Sequence, residues 1–167
     1  MESNPYQPPE AKLVDETVRG DAVQAERMQR FLAAFIDGLI ALAIGVPVAF
    51  LLGSFDYARR GIRPPFALTL AAVAIGFVSF VLIQGWFLHT SGQTIGKKVI
   101  GIRIVDIDGK VPPITRMLGL RYLPTQLAAL IPVVGGFYAL VDVLFIFRQD
   151  HRCLHDLVAG TRVVKVK

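Results

Sequence analysis

The sequence predicts an all-α membrane protein with four membrane segments and a small cytoplasmic two-stranded β element. Residues 31–55 are apolar apart from one ionisable side chain, Asp37, and residues 66–88 carry no charge. Each run is long enough to cross a bilayer core of about 30 Å. With 53% hydrophobic residues and a mean hydropathy of +0.53, the chain is too apolar for an ordinary soluble domain. The lipid bilayer is therefore its first expected partner.

The N-terminal residues differ from the rest of the chain in composition. Residues 1–25 are polar, contain prolines and lack a repeating apolar face, so they are predicted to be a disordered tail. Residues 26–167 are predicted to form one transmembrane domain. Although the net charge is +5, no basic patch interleaved with aromatic residues is present, which argues against a nucleic-acid partner.

The first two membrane segments follow directly from the apolar runs. The first is predicted over residues 27–52, where neighbouring helices can compensate for Pro47. Charged residues then mark a connection over residues 54–65, and its final prolines favour a new helix start. The second segment covers residues 66–88 and has Trp86 near its far end, where an indole ring suits the headgroup boundary.

The loop after the second segment contains a strand signal. Val99, Ile102 and Ile104 are β-branched, and Asp108-Gly109 behind them is typical of a tight turn. Residues 161–166 have the same β-branched character. Pairing of these two strands would form a small sheet at one membrane face, so both strands must lie on the same side.

A third apolar block, residues 114–147, is too long for one crossing. As a single helix its 34 residues would span about 51 Å. The segment Pro-Val-Val-Gly-Gly at residues 132–136 predicts a turn that breaks it. The block is therefore predicted to be a short helical hairpin, whose second leg of about 17 to 20 Å is short enough to be re-entrant.

Basic residues set the expected orientation. Lysines and arginines number four up to residue 30, five over residues 97–116 and five from residue 148 onward, against three in the connection after the first segment. A hairpin in the third block places the three basic regions on one side, which the positive-inside rule makes cytoplasmic. Both termini are therefore expected in the cytoplasm.

Polar side chains occur at a similar depth on all four predicted segments. Asp37 and Arg121 are each about 10 Å from the cytoplasmic end of their segments, with Asp142 at about 8 Å and Gln84 at about 6 Å. Intramembrane charges are costly and usually functional. The sequence thus predicts one buried cluster, with Arg30 and Arg116 nearer the interface.

Two interpretations of this cluster are open. In the structural one, a pair between Arg121 and an aspartate satisfies buried charge and fixes helix packing. In the functional one, two carboxylates outnumber one guanidinium, and the surplus carboxylate binds a proton or a small cation.

Enzymatic and metal chemistry have little support in the sequence. No nucleophile and base arrangement typical of a membrane hydrolase is present, so the chain is not expected to be an enzyme. His151 and His155 are four residues apart, but no Cys or carboxylate framework of the right spacing accompanies them. No metal site and no cofactor are expected.

Several motifs together resemble the RDD family of bacterial membrane proteins. They are Arg30 and Asp37 in the first segment, residues 92–106 with Gly92 and Gly96, and residues 155–161. The resemblance covers about residues 25–166. It implies a multi-pass domain of the bacterial inner membrane with a transport role, linked in some members to cation and proton exchange.

The family is named for one arginine and two aspartates. Arg30 matches the arginine, and Asp37 matches the first aspartate. The second aspartate is either Asp142 or Asp156, which follows His155. The sequence leaves both alternatives open.

The expected function is transport of a small ion or solute. Its mechanism would be alternate protonation of Asp37 or Asp142, with Arg121 and Arg30 as counter-charges. The alternative is a non-transporting membrane partner that holds or regulates another protein and uses the same charges for packing. A surplus carboxylate favours transport, whereas the small size favours the alternative and implies a homo-oligomer or another membrane protein as partner.

Overall fold

The structure is a computed structural model and describes residues 23–131, 133–148 and 150–166. Residues 1–22 of the predicted tail lie outside the described residues. The helices are α1 (Arg27–Leu51), α2 (Ser54–Arg59), α3 (Phe66–Ser91), α4 (Ile95–Ile100), α5 (Ile114–Arg116), α6 (Leu123–Ala128), α7 (Val134–Leu144) and α8 (Leu154–Ala159). The strands are β1 (Ile102–Asp106) and β2 (Thr161–Lys165).

The two long helices, α1 and α3, agree with the first two predicted segments. By length and composition they are the helices among the described residues that could cross a membrane. Helix α1 begins where the Glu26 backbone N–H donates to the Gln29 side chain at 3.1 Å, and it continues through Pro47. Helix α3 ends at Gly92, whose φ of 67° lies in the left-handed region that favours glycine. The predicted membrane-protein class is therefore supported.

The small sheet confirms the predicted strand pairing. Strands β1 and β2 are antiparallel, with Ile104 opposite Val163. Gln24 forms a further bridge to Val164 on the other edge of β2, so the sheet includes a residue that the sequence assigned to the tail. The N-terminal segment, the loop after α3 and the C-terminal segment thus meet at one end of the molecule.

The predicted strand begins later than its β-branched pattern suggested. Residues 95–100, including Val99, form helix α4 instead. Thr94 caps this helix by accepting a hydrogen bond from the Lys97 backbone N–H at 3.3 Å, and Gly101 ends it with φ 75°. These local capping signals outweigh the β-propensity of a short run.

The third apolar block forms the predicted hairpin. Helix α5 starts after Pro113, a π-helical stretch covers Met117–Tyr122, and α6 completes the first leg. The second leg consists of α7 and a 3₁₀ turn at Phe145–Phe147. Gly135 lets the legs approach, because a Cβ there would lie 2.8 Å from the Ala128 carbonyl oxygen.

The buried apolar core sits at the sheet end of the molecule. Leu88, Ile102, Ile104, Met117 and Val163 are at most 1% exposed and form one cluster. The side chains along the outer parts of α1 and α3 are exposed or half-buried, as expected for surfaces that face lipid. The core therefore holds the ends of the apolar helices against the sheet, and the candidate site lies at this junction.

Candidate functional site

A buried carboxylate, Asp156 on α8, joins two arginines from different elements. Its Oδ2 accepts hydrogen bonds from Arg30 Nη2 and, at 3.1 Å, from the Cys153 backbone N–H. Its Oδ1 accepts from Arg121 Nη1 and from the Thr161 hydroxyl at 3.3 Å. Asp156 is 0% exposed, Arg121 3% and Arg30 8%. The carboxylate therefore connects α1, the π-helical stretch, α8 and β2, and we refer to Arg30, Asp156 and Arg121 as the arginine clasp.

Charge keeps Asp156 ionised despite its burial. Burial by itself would raise its pKa, but the guanidinium groups of Arg121 and Arg30 outweigh this and hold the pKa well below the usual range of an aspartate. Asp142 on α7 supplies a second carboxylate beside the arginine clasp. The two positive charges are thus matched by two negative charges.

Asp142 binds His155 rather than an arginine. Its Oδ1 accepts the His155 backbone N–H at 2.8 Å, and both carboxylate oxygens lie within 2.8 Å of Nδ1. Burial, assisted by the charge of Arg121, lowers the pKa of His155, and the contact with Asp142 opposes this only in part. The imidazole is therefore neutral at pH 7 and donates from Nδ1.

The lowered pKa of His155 predicts a loss of stability in mild acid. The unfolded chain binds a proton at this histidine below about pH 6.5, before the folded protein does. The free energy of unfolding should therefore decrease as the pH falls from 6.5 through the lower pKa of the folded state. Chemical unfolding between pH 7.5 and 5 should show this decrease in the wild type and a smaller one in His155→Gln. His89→Gln, which changes an exposed histidine, should leave the slope as in the wild type, and an equal slope for all three proteins would contradict the prediction.

One group of donor atoms beside the arginine clasp has the composition of a metal site. The ligand atoms of Asp142, Cys153 and His155 lie within 4.8 Å of one another. However, burial raises the pKa of the Cys153 thiol to about 11, and Arg30 Nη2 donates to its sulfur at 3.3 Å. A protonated thiol beside a guanidinium is a poor ligand, because metals bind the thiolate. The geometry favours a hydrogen-bonded network.

A second polar group surrounds Asp37 on α1. Its Oδ1 accepts hydrogen bonds from Gln84 Nε2 at 3.1 Å and from the Gly96 backbone N–H at 2.8 Å. Its Oδ2 accepts from the Thr94 hydroxyl at 2.5 Å, and Lys97 Nζ lies 3.9 Å away. The carboxylate thus connects α1 to α3 and to the first turn of α4, through three neutral donors and one more distant ammonium group.

Two glycines, Gly92 and Gly96, allow close backbone approach at this junction. A Cβ at Gly96 would overlap the Ala33 carbonyl oxygen and lie 2.9 Å from Asp37 Cγ. A Cβ at Gly92 would collide with the Ile104 carbonyl oxygen. The family motif at these positions therefore has a packing explanation.

A cavity of about 360 Å³ lies between α1 and α3. Asp37 and Gln84 line it at the end nearest the sheet, and Ser79 and Gln126 add polar groups. The other lining side chains are apolar, and small residues on both helices, such as Gly45 and Gly76, make the space. We refer to this space as the helix cavity.

The structure divides the sequence-predicted cluster into two groups. Asp37 and Gln84 are in contact, but Arg121 pairs with Asp156, and Asp142 pairs with His155. The sequence predicted a common depth for these residues, but their partners also depend on helix rotation, which it did not predict. Hydrogen bonds in a π-helical stretch join residues five apart instead of four, and Arg121 lies within such a stretch.

Two other predicted residues also find partners at the sheet end. Arg30 reaches Asp156, so of the two aspartates that the sequence left open, Asp156 is the one that pairs with the family arginine. Arg116 donates to the Gly160 carbonyl oxygen at 3.5 Å. The positive charges expected near the interface thus bind α8 and its C-terminal end.

Sequence reasoning missed the threonines and the cysteine of the site. Thr94 had a recognisable signal, because a threonine directly before a helix is a common N-cap. Thr161 had none, because its contact with Asp156 arises only when β2 packs against α8. The Cys153 contact is local, since its backbone N–H donates to the aspartate three residues later in the first turn of α8.

Comparisons with known proteins agree with the motifs. The chain is 31% identical over 145 residues to an uncharacterized protein of Haemophilus influenzae, covering 85% of this chain and 78% of the relative. It is 29% identical over 148 residues to the uncharacterized protein YxaI of Bacillus subtilis, covering 81% and 93%. It is also 42% identical over 72 residues to the uncharacterized protein YckC of the same organism, covering 43% and 46%. No solved structure matches.

Comparison with protein-family models gives a more specific result. The model of the RDD family matches residues 24–160, which include the arginine clasp and the whole contact set of Asp37. The chain belongs to the RDD family.

Proposed function

We propose that this RDD protein binds and moves a small ion or solute across the bacterial inner membrane, with Asp37 as the coupling carboxylate. The observation that carries the proposal is the helix cavity, which lies between two apolar helices and includes Asp37 in its lining. A carboxylate in such a place attracts a cation or a proton. Binding of one in place of the other would couple the two movements.

The proposed topology has four membrane segments and both termini in the cytoplasm. The sheet brings the N-terminal segment, the loop after α3 and the C-terminal segment to one end of the molecule. These regions carry most of the basic residues, so the positive-inside rule supports a cytoplasmic sheet. In this topology the hairpin of α5–α7 enters and leaves the membrane on the cytoplasmic side.

The arginine clasp has a structural role in this proposal. The positive charges of its two arginines are balanced by Asp156 and by the neighbouring Asp142, and its atoms are buried. The arginine clasp therefore offers no surplus carboxylate for an ion. We assign it to holding α1, the hairpin and α8 together. We therefore propose alternate protonation at Asp37 rather than at Asp142. The proposed transport involves no catalytic residue.

A second candidate function is that of a non-transporting membrane partner. It is favoured by the many exposed apolar side chains along α1 and α3, such as Phe35, Phe50 and Leu82 at 56%, 74% and 78% exposure. A second copy or another membrane protein could cover part of this surface. In that case Asp37 would serve only to fix α4 against α1.

Flux in proteoliposomes separates the two candidates. With a sodium or potassium gradient, the wild-type protein should drive proton movement that a pH-sensitive dye reports, and Asp37→Asn should fall to the level of protein-free liposomes. Asparagine keeps the size of the side chain but removes its charge. Asp56→Asn, in exposed helix α2, should behave as the wild type. Absence of flux in the wild type, together with a lower thermal stability of Asp37→Asn, would favour the partner function instead.

A further inference from the structure

We infer that the helix cavity takes an apolar organic monocation, such as a small amine or quaternary ammonium compound, rather than a bare inorganic ion. The inference rests on the proposed function and names its substrate class. It is argued from the size of the cavity, the chemistry of its walls and the position of its one carboxylate.

The size of the cavity suits an organic molecule. Its volume of about 360 Å³ falls within the range of roughly 300–1,000 Å³ that is usual for small-molecule pockets. A bare metal cation instead needs a tight shell of about six oxygen ligands. The lining side chains with oxygen atoms are Asp37, Ser79, Gln84 and Gln126, and the remaining wall is hydrocarbon. Most of the volume could therefore not contribute to coordinating such an ion.

The charge of the cavity specifies a cation. Within the described part of the chain, the lining contains the carboxylate of Asp37 but no lysine or arginine. The side-chain donors of Gln84 and Thr94 and the Gly96 N–H stabilise this carboxylate without cancelling its charge. The Lys97 ammonium, at 3.9 Å, is the nearest counter-charge. A monocation in the cavity would therefore share this carboxylate with the Lys97 ammonium group, and the described lining offers no lysine or arginine to an anion.

The walls favour a cation with few hydrogen-bond donors. Phe80 lines the helix cavity, and an aromatic face attracts ammonium groups. Aliphatic side chains such as Ile40 and Ile44 surround the remaining space, which suits an alkyl or aryl body. An ammonium group at Asp37 with an apolar body along the helices would satisfy both parts of the cavity.

Equilibrium dialysis of the full chain in nanodiscs tests this assignment. The probe is radiolabelled benzyltrimethylammonium, with binding to protein-free nanodiscs subtracted. We expect saturable binding that Asp37→Asn weakens at least about tenfold, because the charge is lost. Unlabelled neopentylbenzene, which has the same shape without the charge, should compete at least about tenfold less well than unlabelled benzyltrimethylammonium.

Three glycine variants locate the binding site. Gly45 lines the helix cavity and Gly38 does not, although both lie on α1 and neither would place a Cβ within 4 Å of another group. Gly45→Leu should fill the space and abolish saturable binding, whereas Gly38→Leu should bind as the wild type. Gly76→Leu, on the facing helix, provides a second blocking variant if Gly45→Leu does not fold.

The outcomes separate the inference from the proposed function. Three results would each overturn the organic-cation assignment. They are binding as strong as in the wild type by a folded Gly45→Leu or Gly76→Leu protein, equal competition by neopentylbenzene, and the absence of saturable binding to the wild type. If Asp37-dependent proton and sodium exchange nevertheless occurred in proteoliposomes, the proposed function would stand with an inorganic substrate. If benzyltrimethylammonium bound as expected and flux of every cation were absent, the inference would stand and transport would not.

Discussion

Asp156→Asn should lower the free energy of unfolding by about 3–5 kcal/mol, the usual cost of breaking a buried ion pair by removing one partner. Asparagine keeps the shape of the side chain but leaves Arg30 and Arg121, which are 8% and 3% exposed, without their shared carboxylate. Unfolding of the purified protein in detergent, followed by circular dichroism, measures the change. Asp108→Asn, at an exposed turn, should remain close to the wild type.

The pH dependence gives an independent check on Asp156. Because its folded pKa lies below the ordinary value, its contribution is fully present above about pH 4 and is lost as the pH falls through the folded pKa. The variant should lack this acid-dependent part of the unfolding free energy. A loss of less than about 1 kcal/mol at pH 7 would place Asp156 among weak surface pairs and contradict the arginine clasp.

A companion triple variant tests whether the loss of stability in Asp156→Asn comes from unpaired charge rather than from loss of the ion pair itself. Changing both arginines to methionine together with Asp156→Leu removes every charge of the arginine clasp. Replacement of a buried ion triad by apolar residues of similar volume is often neutral or stabilising. Recovery of much of the stability lost in Asp156→Asn would show that unpaired guanidinium groups cause the defect.

Gly96→Ala should lower the free energy of unfolding by about 1–3 kcal/mol, the usual range for overpacking. The new Cβ would overlap the backbone carbonyl oxygen of Ala33, which cannot rotate away as a side chain could. It would also press on the Asp37 carboxylate, whose Oδ1 accepts the Gly96 N–H. Helix α4 would therefore separate from α1.

A matched glycine on α1 controls for helix propensity. Gly38 would place a new Cβ within 4 Å of no other group, and alanine is favoured over glycine in helices by up to about 1 kcal/mol. Gly38→Ala should therefore be neutral or stabilising under the conditions in which Gly96→Ala is destabilised. Equal stability of the two variants would mean that close packing of α4 on α1 is not required.

Local patterns predicted the two long helices, the hairpin and the strand pair. The apolar runs predicted α1 and α3, and the turn signal at residues 132–136 predicted the hairpin. The β-branched residues predicted β1 and β2 and their pairing. They failed at Val99, because a threonine cap and a glycine end made a short helix of residues 95–100.

The candidate site, like the fold, was predictable from the sequence only in part. Composition showed that Asp37, Arg121 and Asp142 are rare charges among apolar residues, and hydropathy predicted a similar depth for them. Only the tertiary structure decided that Asp156 takes both arginines and that His155 takes Asp142. The physical reason is that periodicity reports the distance along a helix, whereas a hydrogen bond also depends on helix rotation. Here the π-helical stretch and the docking of α8 set that rotation.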